Sequence, residues 1–392
     1  VTCPNGFDMS QVCKSARENM VSTDKMPLAP HEFALMDMLF SNSDAFLCKP
    51  QPGYETCRYV FFPGCQAGAI APDVVMDAYE DLCARVEGGV GLILGCCGAI
   101  SEWAGRYEMT EKVNEQLKQE LAKLGDPVII AGCPSCMKQL KENTGAEVRG
   151  IWEILKEIGL PGKARGLEMP VAIHDACGAR GDARTQDTIR ELLTAMGCTV
   201  EDTEYSRDLS PCCGYGGLTA YANKEMAAKM TEKCLERSDA PYITYCMACR
   251  DRFAREGRES RHILELLYGD NACNMPDISE KRYNRLVLKE KLLKNIWNEE
   301  LMMEKKDYTV AYTEDAIRMM DERMILKSDV EHVLADYRES QEAVFDEETK
   351  ELVTRSRLGN VTFWVRFVET EEGYLVHRAY SHRMNIMKRV GQ

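Results

Sequence analysis

The sequence predicts an α/β chain: two duplicated, doubly wound units sharing one cleft, followed by a small α+β module. Three observations predict it. Ten of the eighteen cysteines fall into two copies of one pattern. Short apolar runs end at those cysteines, as buried parallel strands ending in functional loops do. Stretches with apolar residues at helical spacing alternate with the runs, which is the βαβ signature.

The first copy of the pattern is Cys65, the pair Cys96 and Cys97, then Cys133 and Cys136. The second is Cys177, the pair Cys212 and Cys213, then Cys246 and Cys249. Each copy is a single cysteine, a vicinal pair followed by glycine (GCCG at 95–98, PCCG at 211–214) and a CxxC (CPSC at 133–136, CMAC at 246–249). The intervals agree between copies to within a few residues, so the two units read as one internal duplication.

Bulk properties bound the alternatives. A chain of 392 residues holds two or three domains and buries its cores without staples. No apolar run approaches the length of a membrane span, and no secretory signal is evident, so the expectation is a cytoplasmic chain. A net charge of −14 argues against nucleic acid as a partner. Disulfides explain the cysteines poorly, because adjacent cysteines pair with each other only under strain. The chain begins at Val1 rather than Met, and the expectation is that residues were removed or that upstream sequence is missing.

Residues 1–58 form an N-terminal segment. Cys3 before Pro4 looks like the last ligand of a ferredoxin run, with a free loop cysteine as the alternative. Cys13, Cys48 and Cys57 lack partners at metal spacing and read as structural, and 27–47 reads as a short packing helix. The first unit, 59–167, opens with a strand into Cys65 at 59–65. A helix at 71–86 follows, with Val75, Ala78, Leu82 and Val86 on one face and Cys83 in the core. GVGLILG (89–95) is a strand delivering Cys96 and Cys97. A helix carrying Val113, Leu117, Leu121 and Leu124 leads to PVIIAG (127–132), which ends at Cys133.

The second unit, 168–269, repeats the plan: a strand at 169–177, a helix at 185–197, a glycine-rich turn at 211–217, a helix at 223–239 containing Cys234, and a strand at 240–246. Residues 270–307 combine a linker, where Cys273 reads as unliganded, with an amphipathic helix at 283–303. The module at 308–392 shows helix caps at Thr313 and Ser328 and a hairpin at 360–381 with its loop at 369–373. His377 and His382 read as a solvated face, and no catalytic constellation is evident there.

Five soft thiolates converging on one point suit an iron–sulfur cluster better than a single ion, which takes four. Thiolate ligands need lowered pKa values, which the metal supplies. The glycine after each pair frees the backbone to turn, so that neighbouring sulfurs face one pocket instead of opposite sides of a strand. A cubane uses four cysteines, so the fifth of each set either bridges two irons or marks another cluster shape. Zinc would leave one cysteine over in each half.

Over about 59–268 these residues resemble the cysteine-rich CCG domain of the heterodisulfide reductase B/D family, whose pattern is one Cys, then CCG, then CxxC, usually twice. The resemblance implies Rossmann-like units and two [4Fe–4S] clusters of non-cubane type. Cys65, Cys96, Cys97, Cys133 and Cys136 would hold one, and Cys177, Cys212, Cys213, Cys246 and Cys249 the other. It implies a disulfide substrate held between the clusters and cleaved in two one-electron steps. The opening residues also resemble the exit of the ferredoxin domain that precedes this repeat in D-type subunits, which implies a further cluster using Cys3 if upstream sequence exists. The 308–392 module is foreign to the simple B subunit, which puts transfer of that substrate in doubt.

The expected function is that of an iron–sulfur oxidoreductase subunit of anaerobic metabolism, exchanging electrons with a disulfide or another small acceptor in the cleft. No GxGxxG or P-loop is evident, so flavin- or ferredoxin-type subunits are the expected electron partners. The alternatives are a non-catalytic electron-transfer and docking subunit, which predicts a cleft covered by a partner, and a thiol sensor, which predicts disulfides in place of iron.

Overall fold

The computed structural model of the chain describes residues 7, 9–26, 29–269, 273–301, 307–358 and 361–383. Cys3 therefore lies outside the described residues. The chain divides into two compact units, one drawn from 1–275 and 281–300, the other from 276–280 and 301–392. Among the described residues no helix is long and apolar enough to cross a membrane.

The larger unit is α/β and contains two sheets. The first is built from β1 (Leu47–Lys49), β2 (Tyr59–Phe62), β3 (Val90–Leu94), β4 (Val128–Ala131) and β5 (Val148–Gly150), in the order β1-β3-β2-β4-β5. The strands from β2 to β5 are parallel, and β1 runs antiparallel along β3. Every residue of β3 is buried, as expected of a central strand covered on both faces. The second sheet, β6 (Val171–His174), β7 (Val200–Asp202), β8 (Tyr242–Thr244) and β9 (Ser260–His262), is wholly parallel in the order β7-β6-β8-β9. The duplication is thus visible in topology: β2, β3, β4 and β5 correspond to β6, β7, β8 and β9.

Several boundaries differ from the sequence reading. Among the described residues of the run at 27–47 the helix spans Glu32–Ser41; the chain then turns at Asn42, and Leu47 leaves to pair with Leu94 in β1. An edge strand three residues long has too few positions to show a period of two. The pair Cys212 and Cys213 does not follow a strand as Cys96 and Cys97 do. β7 ends at Asp202, and a 3₁₀ turn at Arg207–Leu209 precedes the pair. The amphipathic helix spans Ile278–Trp297, starting inside the expected linker and stopping where Asn298 adopts a left-handed conformation (φ 55°).

The smaller unit carries β10 (Thr309–Tyr312), β11 (Val344–Asp346), β12 (Glu351–Leu358), β13 (Val361–Thr370) and β14 (Gly373–His382) in the order β10-β14-β13-β12-β11. Helices Glu314–Arg323 and Lys327–Ser340 contribute Met320, Val330, Val333 and Leu334 to a core with Val365, Phe367 and Val376 of the sheet. Thr313 caps the first of these helices, its Oγ1 accepting from the Ala316 amide at 3.2 Å. Ser328 is not the second cap: that helix starts at Lys327, and Asp329 secures the start by accepting from the Leu326 amide at 2.9 Å.

Candidate metal centre

Cys65 opens the short helix Cys65–Ile70 after β2. Cys96 and Cys97 follow β3, and Cys133 is the N-cap of helix Pro134–Asn143 after β4, with Cys136 in its first turn. In the second half Cys177 opens a 3₁₀ turn at Cys177–Ala179 after β6, and Cys246 is the N-cap of helix Met247–Arg255 after β8, with Cys249 in its first turn. Parallel strands aimed the same way thus place their terminal cysteines at one end of each sheet. The glycine after each pair is left-handed, Gly98 at φ 85° and Gly214 at φ 91°. A Cβ on Gly214 would sit 2.6 Å from the Ala227 carbonyl oxygen, so only glycine fits there.

The two halves meet reciprocally. Helix 134–143 of the first half packs on the Cys177 turn of the second, and helix 247–255 of the second packs on the Cys65 helix of the first. Gly178 makes one of these approaches possible, since a Cβ there would lie 2.9 Å from the Ser135 amide nitrogen.

All ten cysteines join in one ladder of thiol–thiol hydrogen bonds. It runs from Cys65 to Cys96, Cys97, Cys136 and Cys133, crosses to Cys246, and continues through Cys249, Cys213 and Cys212 to Cys177. The order in one half mirrors the order in the other. Every described cysteine is a free thiol. Among the described residues no three histidine, cysteine, aspartate or glutamate side chains are grouped to hold a single metal ion.

Three members of the ladder are shifted toward thiolate, because each accepts from two neighbouring thiols. Cys97, between Cys136 and Cys96, is lowered to about 6. Cys133, between Cys136 and Cys246, and Cys212, between Cys177 and Cys213, are also lowered. Among their donors, Cys136, Cys177, Cys213 and Cys246 are raised, by those hydrogen bonds and by burial. Five soft donors per half, some with thiolate character, form a set that fits an iron–sulfur cluster.

Nine of the ten cysteines line one cavity of about 70 Å³, walled otherwise by apolar groups including Ala99, Ile100, Trp103 and Tyr215. Cys212 stands just behind this wall, with Sγ 4.0 Å from where a Cβ on Gly216 would be. The sequence reading missed Trp103 as a wall residue, since a tryptophan in SEWAG carries no spacing signal. Tyr215 stood inside the PCCGYGG turn, and its ring lies 6.5 Å from that of Trp103, edge to face.

Buried ion pairs brace both ends of the ladder. Arg285 donates to both carboxylate oxygens of Asp37 at 2.7 and 3.0 Å. Asp175, fully buried after β6, accepts from Arg190, from the Arg207 amide and from the Tyr245 hydroxyl at 2.9 Å. Burial alone would raise its pKa, but these donors hold the carboxyl below its usual range. His377 and His382 belong to the smaller unit. His377 contacts Glu351 and His382 accepts from Trp364 Nε1. Cys13 and Cys273 are exposed, and Cys48, Cys57, Cys83, Cys198 and Cys234 stand outside the ladder.

Residues 59–141 and 171–254 each match the cysteine-rich domain called CCG. The chain is similar to an uncharacterized iron-sulfur protein of Methanocaldococcus jannaschii, 29% identical over 170 residues, which are 42% of this chain and 33% of the relative. It is also similar to an uncharacterized iron-sulfur protein of Methanococcus maripaludis, 27% identical over 208 residues, 50% of this chain and 40% of the relative. The chain therefore spans well under half the length of these relatives. No solved structure matches it.

Proposed function

We propose, for a chain that carries two CCG cysteine-rich domains, an iron–sulfur oxidoreductase subunit that exchanges electrons with a disulfide or another small acceptor between its two halves. The observation that carries this reading is the ladder of ten thiols, five from each half, joined at Cys133 and Cys246. Cys65, Cys96, Cys97, Cys133 and Cys136 would hold one cluster, and Cys177, Cys212, Cys213, Cys246 and Cys249 the second. Such clusters supply one-electron steps at a site that protein groups otherwise furnish only with protons.

The chain's own residues do the rest. Trp103, Tyr215 and Ile100 exclude bulk water from the cavity, which strengthens electrostatic interactions inside it. Arg285 and Asp175 fix the loops that carry Cys65 and Cys177. Reduction of a disulfide takes two electrons and two protons, breaks the S–S bond and releases two thiols. The electrons would come from a flavin- or ferredoxin-type partner.

The test is iron and acid-labile sulfide per chain, with EPR on the same anaerobic sample. Two filled sets give about eight of each. Zinc, or oxidised cysteines without iron, would overturn the reading, and about four of each would leave only one half loaded.

A further inference from the structure

In the smaller unit the helices Glu314–Arg323 and Lys327–Ser340 pack on one face of the sheet, against Val365, Phe367 and Val376. The opposite face carries a different set of side chains. Directly paired residues of neighbouring strands point to the same side. The register therefore sets Arg355, Trp364 and Tyr380 in one row across β12, β13 and β14, and Arg357, Thr362 and His382 in the row beside it. The Trp364 and Tyr380 rings are stacked, 6.0 Å apart and 6° from parallel, and the Arg355 guanidinium lies 5.0 Å over Trp364. Arg355, Arg357 and, one row on, Arg378 are exposed.

The register of β13 and β14 then shifts. Arg366 faces Arg378 but Phe367 faces Val376, so His377 is the extra residue of a β-bulge. Bulges re-aim side chains. This one sends His377 to Glu351 of β12, two strands away, with Nδ1 2.6 Å from Glu351 Oε1. An ionised carboxylate only accepts, so Nδ1 holds the proton of the neutral ring and Nε2 is left as an acceptor. The His377 side chain keeps 30% of its surface exposed. Arg366 Nε lies 3.1 Å from Glu351 Oε2, and the same guanidinium pairs with Asp346, so both carboxylates beside the dyad are matched. The exposed arginines leave this face locally basic in a chain of net charge −14. Surface charges more than about 10 Å away are largely screened, so the local sign decides what approaches.

We propose that this sheet face binds single-stranded RNA. Aromatic rings and guanidinium planes on a sheet are surfaces on which unpaired bases stack. The arginines around them match phosphates. An imidazole acceptor oriented by a carboxylate takes the 2′-hydroxyl, which DNA lacks. A duplex keeps its base faces inside its own stack, and an acidic peptide would answer the arginines but neither the stacked rings nor His377. RNA binding here is independent of what the cysteine cavity holds, so it stands or falls apart from the iron–sulfur reading.

The experiment is fluorescence anisotropy of the full chain, purified anaerobically, with one short sequence offered as single-stranded RNA, single-stranded DNA and RNA duplex, and with a labelled polyglutamate peptide. Single-stranded RNA is expected to bind about tenfold or more tightly than the other three. Its affinity should fall about twentyfold between about 50 and 200 mM salt, the slope of three neutralised phosphates. Trp364→Ala is expected to weaken RNA about tenfold. His377→Phe should bring RNA down to the DNA level and leave DNA unchanged. Arg378→Gln, at an exposed position where folding is not at stake, should flatten the salt dependence by about one phosphate. RNA bound no better than DNA, duplex or polyglutamate overturns the proposal, as does RNA binding weaker than about 100 μM at low salt. RNA affinity indifferent to all three substitutions overturns it too, since the RNA would then sit elsewhere.

Discussion

Arg285 Nε donates to the carbonyl oxygen of Cys65 at 2.9 Å. The same guanidinium is committed to Asp37, and both residues are largely buried. A residue far along the chain thus fixes the backbone of the first cysteine. Arg285→Gln strands the Asp37 carboxylate and is expected to cost about 3–5 kcal/mol. Denaturant midpoints check this, and a change within about 0.5 kcal/mol would mean that Asp37 finds water or another donor.

Single Cys→Ser substitutions separate ladder members from bystanders. Cys96→Ser or Cys213→Ser is expected to lower iron by about half, because each touches one five-thiol set. Cys83→Ser or Cys198→Ser leaves iron unchanged, since those thiols stand apart from the ladder. Iron analysis of the four variants decides it, and iron loss at Cys198 would move the boundary of the site.

Gly214→Ala forces a side chain into a left-handed position and onto the Ala227 carbonyl oxygen, 2.6 Å away. The expected cost is about 1–3 kcal/mol, with loss of metal from the second set before the first. EPR of the variant reads this directly. Full occupancy of both sets would show that the turn can shift without moving Cys212 and Cys213.

Acid destabilises the fold through His174 and His262, both buried and both lowered to about 4, chiefly by burial. The unfolded chain takes up their protons near pH 6.5 and the folded chain resists until about 4, so stability falls across that window and is intact above it. Each contributes up to about 3 kcal/mol at the low end. Urea midpoints between pH 7 and 5 should fall in the wild type and fall less in His174→Gln. Identical slopes would place the titration elsewhere.

Alkylation should sort the remaining thiols. Burial pushes Cys48 up to about 12 and Cys83 and Cys234 to about 11, which starves them of thiolate at pH 8. Cys13 and Cys273 are exposed. Brief iodoacetamide treatment followed by peptide mass analysis should find Cys13 and Cys273 modified well ahead of the other three.

The α/β class and its central strands were legible because burial on both faces leaves a continuous apolar run, as in VGLIL of β3. The ten ladder cysteines were legible because backbone turns impose fixed intervals on them. What escaped was whatever depends on partners distant in sequence. The three-residue strands β1, β5, β7 and β9 are too short to show a period, and their strand state comes from hydrogen bonds to neighbours. Arg285 looks like an ordinary helix-surface residue until the fold buries it. The Ser328 cap failed because Asp329, one residue on, closes the same turn from inside the helix.

The crossed seating of the two CxxC helices also bears on ancestry. Each half lends the helix that walls the other's first cysteine, so a single copy would have had an open site until it met a second copy. An ancestral form with one repeat is then best pictured as a symmetric homodimer, each protomer completing its twin. Tandem fusion made that encounter intramolecular, removing its dependence on concentration. It also released the copies from identity: one half could run its strand straight into its vicinal pair while the other interposed a 3₁₀ turn between the two.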